Sequence, residues 1–465
     1  MHRPILLLIM STRLLVFSYL KYLAHAPTSL ARWEIQNIFL EHFDHSKKLI
    51  LINATINRLF KHGKGEVRRC IMESLLYEPI TINNMSLKNR LVRSATYEAM
   101  AAEDGSVTDR LIDLYTSLAK GGVGLIITGF AYVQENGHCM SLQTGVFSDD
   151  NIPGLRKLVD AVHEEGGKIA LQIAHAGRQT TPALIGGLTP MAPSAIEADP
   201  LFHTEPREMT TGEISETIEA FAAAAVRCKK AGFDAVQLHG AHGYLIAQFL
   251  SPFTNRRTDE WGGNTENRMR FVKEVIKKVR AAVGPDYPVL IKISVEEGVE
   301  KGLKLGESCI IAKGLADAGV DAIEVSGGIV ADTAFLMCRG WVPIDQMTGG
   351  LEGDAKTQTE QALYSIVDSV KMEEAYWLPH AEKIKGMVGA VPVMLCGGMI
   401  YPQTMETIVK EKKADFISMA RALVREPALP KEMVEGRKSP VKCAYCNRCL
   451  AAVVNGQPLL CYNRL

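Results

Sequence analysis

The sequence predicts an α/β protein built as a closed (β/α)8 barrel, the TIM barrel. From residue 72 onward, eight short runs rich in apolar and β-branched residues recur, and amphipathic stretches separate them. Repeated βα units of this kind form a parallel sheet, and eight of them close it into a barrel whose active site lies at the C-terminal ends of the strands. The alternative is an open doubly wound sheet, but no Gly-x-Gly-x-x-Gly motif follows the first run.

The eight predicted strands are spread along most of the chain. They are residues 91–94, 124–128, 168–173, 235–239, 289–294, 322–326, 391–396 and 416–419. Helical periodicity is clearest in residues 214–231, where apolar side chains recur at spacings of three and four. The longest departure from regular spacing is the stretch of about 47 residues between Gly328 and Tyr376, which we expect to be an insertion on the catalytic face.

Composition and charge restrict the class of partner. The chain has 465 residues, 47% of them hydrophobic, and its 52 Lys and Arg balance its 52 Asp and Glu. A disordered chain is excluded, and no net charge attracts nucleic acid or an acidic membrane. We therefore expect a cytoplasmic protein with a small-molecule substrate, without a nucleic-acid or membrane partner, and with self-association into a homo-oligomer left open.

The chain divides into three predicted parts: an N-terminal extension (1–71), the barrel (72–435) and a Cys-rich C-terminal tail (436–465). The length alone suggests about three domains, but one α/β barrel holds well over 200 residues. The extension begins with apolar residues 5–10 and 14–20, interrupted by Arg13, and residues 24–26 resemble a cleavage site. A signal peptide is therefore an alternative, although the apolar run is interrupted and Pro27 follows the cleavage site. We expect the extension to be dispensable for folding.

A cluster of proton-donating side chains follows the fourth predicted strand. His239 and His242 are three residues apart, and Tyr244 comes two residues later. At a strand end these side chains place two hydrogen-bond donors and a proton source in one mouth of the barrel. Either histidine alone is as well explained by helix capping or core packing. The three together predict a catalytic site.

Two further strand ends predict a phosphate site. Gly397 and Gly398 follow the seventh strand, and Ala420 and Arg421 follow the eighth. Barrels commonly bind phosphate between these two loops. Glycine, which has no side chain, lets the phosphate come close to the backbone, and arginine adds a charged group with several N–H donors. Each loop alone would also suit a tight turn or a surface arginine.

At these motifs the sequence resembles the old yellow enzyme family of NADH:flavin oxidoreductase barrels. The resemblance runs from residue 75 to about residue 430. Residues 79–80 and 87–92 are similar to the family's opening hairpin and first strand, 171–178 to its third-strand flavin contact, and 395–399 and 418–421 to its phosphate-binding loops. The resemblance implies non-covalently bound FMN and hydride transfer from NADH or NADPH, through the flavin, to an electron-poor alkene.

The resemblance also implies a role for each matching residue. The Gln172 position bonds the pyrimidine edge of the flavin, and the stretch Ser94, Ala95 and Thr96 lies along its ring system. The His239 and His242 positions hold an electronegative substrate atom, where two donors stabilise the charge that builds on a carbonyl oxygen. The Tyr244 position gives a proton to the carbon opposite the hydride. An un-ionised phenol, with its usual pKa near 10, can supply it.

Two positions depart from the common pattern of the family. Lys292 stands where many relatives have Arg beside the flavin N1, and Tyr97 stands where a Thr or Cys is usual near flavin O4. Lys292 still supplies a positive charge, but it cannot donate the two parallel hydrogen bonds of an arginine. The flavin potential is therefore expected to differ from that of relatives with Arg. Three alternatives remain. They are a flavin-dependent dehydrogenase or demethylase working in the oxidative direction, a lyase that forms a Schiff base at Lys292, and a flavin-binding protein without activity.

Four cysteines in the tail suggest a metal centre. Cys443, Cys446, Cys449 and Cys461 have the spacing C-x2-C-x2-C-x11-C, which suits a [4Fe-4S] cluster or zinc. The dienoyl-CoA reductase and enoate reductase branch of the family has a similar cluster motif with three residues, not two, between the second and third cysteines. That branch continues into a second dinucleotide-binding module. Here we expect either a structural cluster or an external electron donor, with unligated thiols as the alternative.

Overall fold

A computed structural model of the chain describes residues 74–463, all within one compact unit, Ile71–Leu465. The extension predicted for residues 1–71 and its signal-peptide alternative lie outside the described residues. The boundaries 72–435 and 436–465 stay predictions. Among the described residues, no helix is long and apolar enough to cross a membrane.

The predicted barrel is confirmed. The strands, in chain order, are β1 (Ile80–Ile82), β2 (Met85–Leu87), β3 (Leu91–Arg93), β4 (Leu125–Tyr132), β5 (Ile169–Ala174), β6 (Met191–Ala192), β7 (Arg207–Glu208), β8 (Ala235–Gly240), β9 (Val289–Ser294), β10 (Ala322–Ser326), β11 (Val393–Cys396) and β12 (Phe416–Met419). Eight of them form the closed barrel in the order β3-β4-β5-β8-β9-β10-β11-β12, and β12 pairs back to β3. All eight predicted strands are present.

Helices separate the barrel strands. They are α1 (Asp109–Lys120), α2 (Ile152–Glu164), α3 (Thr211–Ala231), α4 (Leu245–Leu250), α5 (Thr265–Val283), α6 (Leu305–Asp317), α7 (Val330–Met337), α8 (Ile344–Met347), α9 (Gly353–Ile366), α10 (Leu378–Met387), α11 (Pro402–Lys410), α12 (Arg421–Arg425), α13 (Leu429–Val434) and α14 (Arg448–Val454). Short 3-10 turns lie at Leu75–Tyr77, Glu135–Gly137, Asp149–Asn151 and Pro182–Ile185.

Among the boundaries that differ from the predictions, two have a clear physical reason. Helix α3 starts at Thr211 rather than at residue 214, because Thr210 and Glu213 form a capping box that satisfies the first backbone donors. Strand β4 continues to Tyr132 rather than ending at residue 128, because its register with β5 shifts between Ile127 and Phe130. This irregularity extends the strand toward the catalytic end of the barrel.

The barrel interior is apolar at one end and polar at the other. Strands β1 and β2 form an antiparallel hairpin whose Ile82, Met85 and Leu87 pack with buried apolar side chains of the barrel strands. Further along the strands, Gln172, Lys292 and other buried polar side chains replace the apolar ones. The hairpin therefore covers the N-terminal end, and the open polar end holds the site.

The predicted insertion between Gly328 and Tyr376 contains helices α7, α8 and α9. Its Val330, Met337 and Cys338 line the main cavity of the barrel. The insertion therefore contributes to the catalytic face, as expected.

Candidate active site

One cavity of about 200 Å³ lies at the C-terminal ends of the barrel strands. It brings together all twelve residues that the sequence predicts for the catalytic and cofactor sites. They are Ser94, Ala95, Thr96, Gln172, His239, His242, Tyr244, Lys292, Gly397, Gly398, Ala420 and Arg421. Their roles remain predictions, but their convergence is a property of the fold.

The imidazole and phenol rings form one aromatic cluster in this cavity. His239 is in β8, His242 is in the following loop, and Tyr244 directly precedes α4. The ring centroids of His239 and His242 are 5.2 Å apart, and those of His239 and Tyr244 are 4.7 Å apart. Phe130, from the extended part of β4, packs on both His239 and Tyr244. The cluster is thus fixed from two neighbouring sides of the barrel.

Hydrogen bonds and burial determine the protonation of the two histidines. The backbone N–H of Ala241 donates to Nδ1 of His239 at 3.4 Å, so the neutral ring carries its proton on Nε2. His242 Nε2 lies 2.7 Å from Ser326 Oγ. Burial, together with the charge of Lys292, lowers the pKa of both imidazoles well below its usual value. Both rings are therefore neutral hydrogen-bonding groups at neutral pH.

Tyr244 keeps its proton for the same physical reason. Its side chain is buried, and the thiol of Cys139 donates to its oxygen at 3.9 Å. Burial raises the pKa of Tyr244 well above its usual value of 10. The phenol is therefore protonated over the whole physiological range.

The floor of the cavity is polar and extends further than the sequence analysis predicted. Lys292 Nζ donates to Ser94 Oγ at 2.8 Å and lies 3.3 Å from Glu324 Oε2. Gln172 Nε2 donates to Gln237 Oε1 at 2.7 Å. Glu324 and Gln237 were missed, although a charged and an amide residue inside otherwise apolar strands are a signal for them.

The loop after β11 has the features of a phosphate cradle. Gly397 and Gly398 have φ values of +124° and +71°, and within the described residues their backbone N–H groups donate no hydrogen bond to the protein. Arg421 lines the same cavity, and its Nη1 donates to Arg339 O at 2.9 Å and to Asn447 Oδ1 at 2.6 Å. Free backbone donors beside a held guanidinium suit a phosphate group.

The cavity wall includes Tyr97, which the family resemblance had singled out, and tail residues that the sequence analysis missed. Tyr97, whose ring packs near Phe130 and whose hydroxyl donates to the backbone oxygen of Ser141, lines one side. Leu450, Val453 and Leu459 of the tail line another side. The tail is therefore part of the cavity, and not an appendage.

The four tail cysteines come together in the structure, but the predicted metal centre is not supported. Cys443, Cys446, Cys449 and Cys461 line one small second cavity as free thiols, but no set of three or more His, Cys, Asp or Glu side chains within residues 74–463 is placed to hold a metal ion. The short spacing after Cys446 puts Cys449 in the first turn of α14, where it also lines the main cavity. Neither the [4Fe-4S] cluster nor zinc is supported by this arrangement.

The fold, taken with the similarity of the chain to known proteins, defines a barrel enzyme. Residues 75–338 match the family described as NADH:flavin oxidoreductase / NADH oxidase. The chain belongs to this family, and the resemblance to old yellow enzyme is confirmed.

Three relatives illustrate the match. An NADH oxidase from Thermoanaerobacter brockii is 40% identical over 374 residues, which are 80% of this chain and 52% of that protein. A structure of 2-naphthoyl-CoA reductase with 2-naphthoyl-CoA has a TM-score of 0.72 and 30% identity, covering 83% of this chain and 56% of that one. A structure of an old yellow enzyme homologue from Zymomonas mobilis has a TM-score of 0.63 and 25% identity, covering 80% of this chain and 96% of that one. The chain thus spans about half the length of the first two relatives.

Proposed function

We propose that the protein is an FMN-dependent oxidoreductase that passes hydride from NADH or NADPH to an electron-poor alkene of the enone or enoate type. The observation that carries this proposal is the meeting of two neutral imidazoles and one protonated phenol in the cavity that also holds the phosphate cradle. Family membership supports the flavin and the nicotinamide reductant.

The residues of the cavity fit FMN. The free N–H groups of Gly397 and Gly398, with Ala420 and Arg421 opposite, suit the phosphate. Gln172 and Lys292 suit the polar edge of the flavin, and Ser94, Ala95 and Thr96 lie along the same wall. When bound, FMN accepts a hydride from the nicotinamide and delivers it to the substrate.

The protein's own groups supply the remaining chemistry. His239 and His242 bind the substrate's carbonyl oxygen as neutral donors and stabilise the negative charge that develops there. Tyr244 transfers its proton to the α carbon, opposite the incoming hydride. Buried Phe130 and partly buried Val330 give this part of the cavity an apolar wall, which strengthens these interactions.

The observations disfavour the two alternative reactions. Among the described residues that line the cavity there is no Asp or Glu, so an amine cation finds no carboxylate there. Lys292 is paired with Glu324, and an ammonium group in an ion pair lacks the free lone pair that a Schiff base requires. Both arguments favour a carbonyl-bearing alkene as the substrate.

The test is a pair of half-reactions on the purified protein. We expect a yellow protein that releases FMN on denaturation, bleaches anaerobically with NADH or NADPH, and regains its colour with 2-cyclohexenone or an unsaturated CoA thioester. The thioester is included because one relative is a 2-naphthoyl-CoA reductase. A protein without flavin, or one that the alkenes do not reoxidise, contradicts the proposal. An external electron donor and a homo-oligomer remain predictions.

A further inference from the structure

A buried carboxylate stands behind the cavity floor. Glu324 lies on β10 with no exposed surface and does not line the cavity itself. Its register neighbour on β9 is Lys292, which does line the cavity. Glu324 can therefore act on a bound cofactor only through other side chains.

Three donors surround the carboxylate. Ser418 Oγ donates to Oε1 at 2.5 Å, Gln237 Nε2 donates to Oε2 at 2.9 Å, and Lys292 Nζ lies 3.3 Å from Oε2. Burial by itself would raise the pKa of Glu324, but the charge of Lys292 and the hydrogen bonds outweigh it and lower the pKa. The carboxylate is therefore ionised and accepts hydrogen bonds only.

An ionised Glu324 fixes the orientation of two amides in series. Because the carboxylate cannot donate, Gln237 must present its amino group to it, and its own carbonyl oxygen then faces Gln172. Gln172 must in turn donate its amino group to Gln237, as the 2.7 Å contact shows. This relay leaves Oε1 and one N–H of Gln172 for a ligand. The ring edge of a flavin offers an N–H between two carbonyl oxygens, which is the matching pattern.

The same carboxylate offsets the charge of Lys292. The two side chains form an ion pair in which both partners are almost fully buried. Two-electron reduction adds negative charge to a flavin, and a nearby lysine favours that change while a nearby carboxylate opposes it. With both present, the carboxylate cancels part of the effect that Lys292 has on flavin reduction.

We infer that Glu324 is a positioning residue for the cofactor, which fixes the hydrogen-bonding face of Gln172 through Gln237 and lowers the flavin potential by offsetting Lys292. The inference rests on the proposed function, because it takes FMN as the ligand of the cavity. It assigns two separable effects to one side chain, and different variants test each of them.

The first experiment measures the flavin potential of the holoprotein by anaerobic titration against a dye of known potential. Glu324→Gln should raise the equilibrium constant for reduction about tenfold, which is a rise of about 30 mV for a two-electron couple. Ser418→Ala is the comparison variant, since it removes a hydrogen bond to the same carboxylate but keeps the charge, and it should shift the potential less than Glu324→Gln does. If Glu324→Gln does not retain flavin, Glu324→Asp takes its place, because the shorter side chain moves the charge away from Lys292. Glu324→Asp should raise the equilibrium constant for flavin reduction by less than Glu324→Gln.

The second experiment measures the FMN dissociation constant. Gln237→Leu keeps the Glu324–Lys292 pair but frees the amide of Gln172 to turn, so FMN should bind about tenfold more weakly, with a potential close to that of the parent. If Glu324 had a purely structural role, replacing it would change the stability of the protein and leave the flavin potential unchanged.

The outcomes separate this inference from the proposed function. A parent protein that binds no FMN overturns the proposed function. A parent that binds FMN, with a Glu324→Gln or Glu324→Asp potential equal to its own, overturns the charge effect. Unchanged FMN affinity in Gln237→Leu overturns the relay.

Discussion

At the scale of single residues, burial determines what His239, His242 and Tyr244 can do. All three are ionisable groups held in the uncharged form by burial, and the positive charge of Lys292 further disfavours protonation of the two histidines. A neutral imidazole and a neutral phenol can still donate hydrogen bonds. The site is therefore suited to stabilising a carbonyl substrate with neutral hydrogen-bond donors and to protonating it from Tyr244, which is left as a phenolate until it regains a proton from solvent.

Tyr244→Phe tests the proton donor. The variant should slow reoxidation by an enone by about 100- to 10,000-fold, the usual contribution of a general acid, and spare reduction by NADH or NADPH. Stopped-flow absorbance of each half-reaction measures this. Tyr287→Phe is the control, because the Tyr287 hydroxyl is buried without a hydrogen-bond partner and lies outside the cavity. Equal losses in both half-reactions of Tyr244→Phe would contradict its role.

The pH dependence follows from the directions of the pKa shifts. The imidazoles take up protons only below their lowered pKa values, and the phenol loses its proton only above its raised pKa. The rate of reoxidation by an enone should therefore be flat between about pH 7 and pH 9. Stopped-flow rates across this range measure it. A titration near the ordinary pKa of histidine or tyrosine would show that these groups are solvated.

At the scale of the elements, the loop after β11 combines backbone strain with close packing. At Gly398 an added Cβ would lie 2.4 Å from Glu373 O, and the backbone there is left-handed. The proposed contact of the loop's free N–H groups with a phosphate requires this conformation. The cradle thus depends on the insertion that carries Glu373 and Tyr376.

Gly398→Ala should lower the free energy of unfolding by about 2–4 kcal/mol, from left-handed strain plus the steric clash, and should weaken FMN binding. Gly186→Ala is a matched control, since its φ is +69° but nothing lies within 4 Å of its Cβ position, and it should cost only about 1–2 kcal/mol. Urea unfolding without added FMN measures both. Equal costs for the two variants would show that packing at Gly398 is not tight.

At the scale of the whole molecule, the hairpin closes one end of the barrel and the site occupies the other. Ile82, Met85 and Leu87 complete the apolar interior beneath the strands. The tail reaches the catalytic end, where Leu459 N donates to Glu98 O at 2.8 Å. The hairpin and the tail, which are far apart in the chain, thus lie at opposite ends of the same barrel.

A chain that starts at Met72 should fold and keep its cofactor, because it retains the hairpin and all eight barrel strands, which pack together in the apolar interior. Cooperative thermal unfolding and flavin content, compared with the full chain, measure this. A chain that starts at residue 89 is the control. It lacks the hairpin and should be strongly destabilised, because it exposes the apolar end of the barrel. Loss of folding in the first truncation would show that the extension is needed.

The sequence by itself determined the barrel and, through strand-end motifs together with the family resemblance, the twelve residues around its cavity. Strand period, strand count and motifs at strand ends are local signals, and a parallel barrel brings its strand ends to one face. The sequence could not determine Glu324 and Gln237, which act through side chains brought together by cross-strand register: the Gln237–Glu324 bond spans 87 positions. Nor could it determine the neutral state of the histidines or the arrangement of the tail thiols. Both depend on burial and on the distances between atoms, and only the tertiary structure sets those.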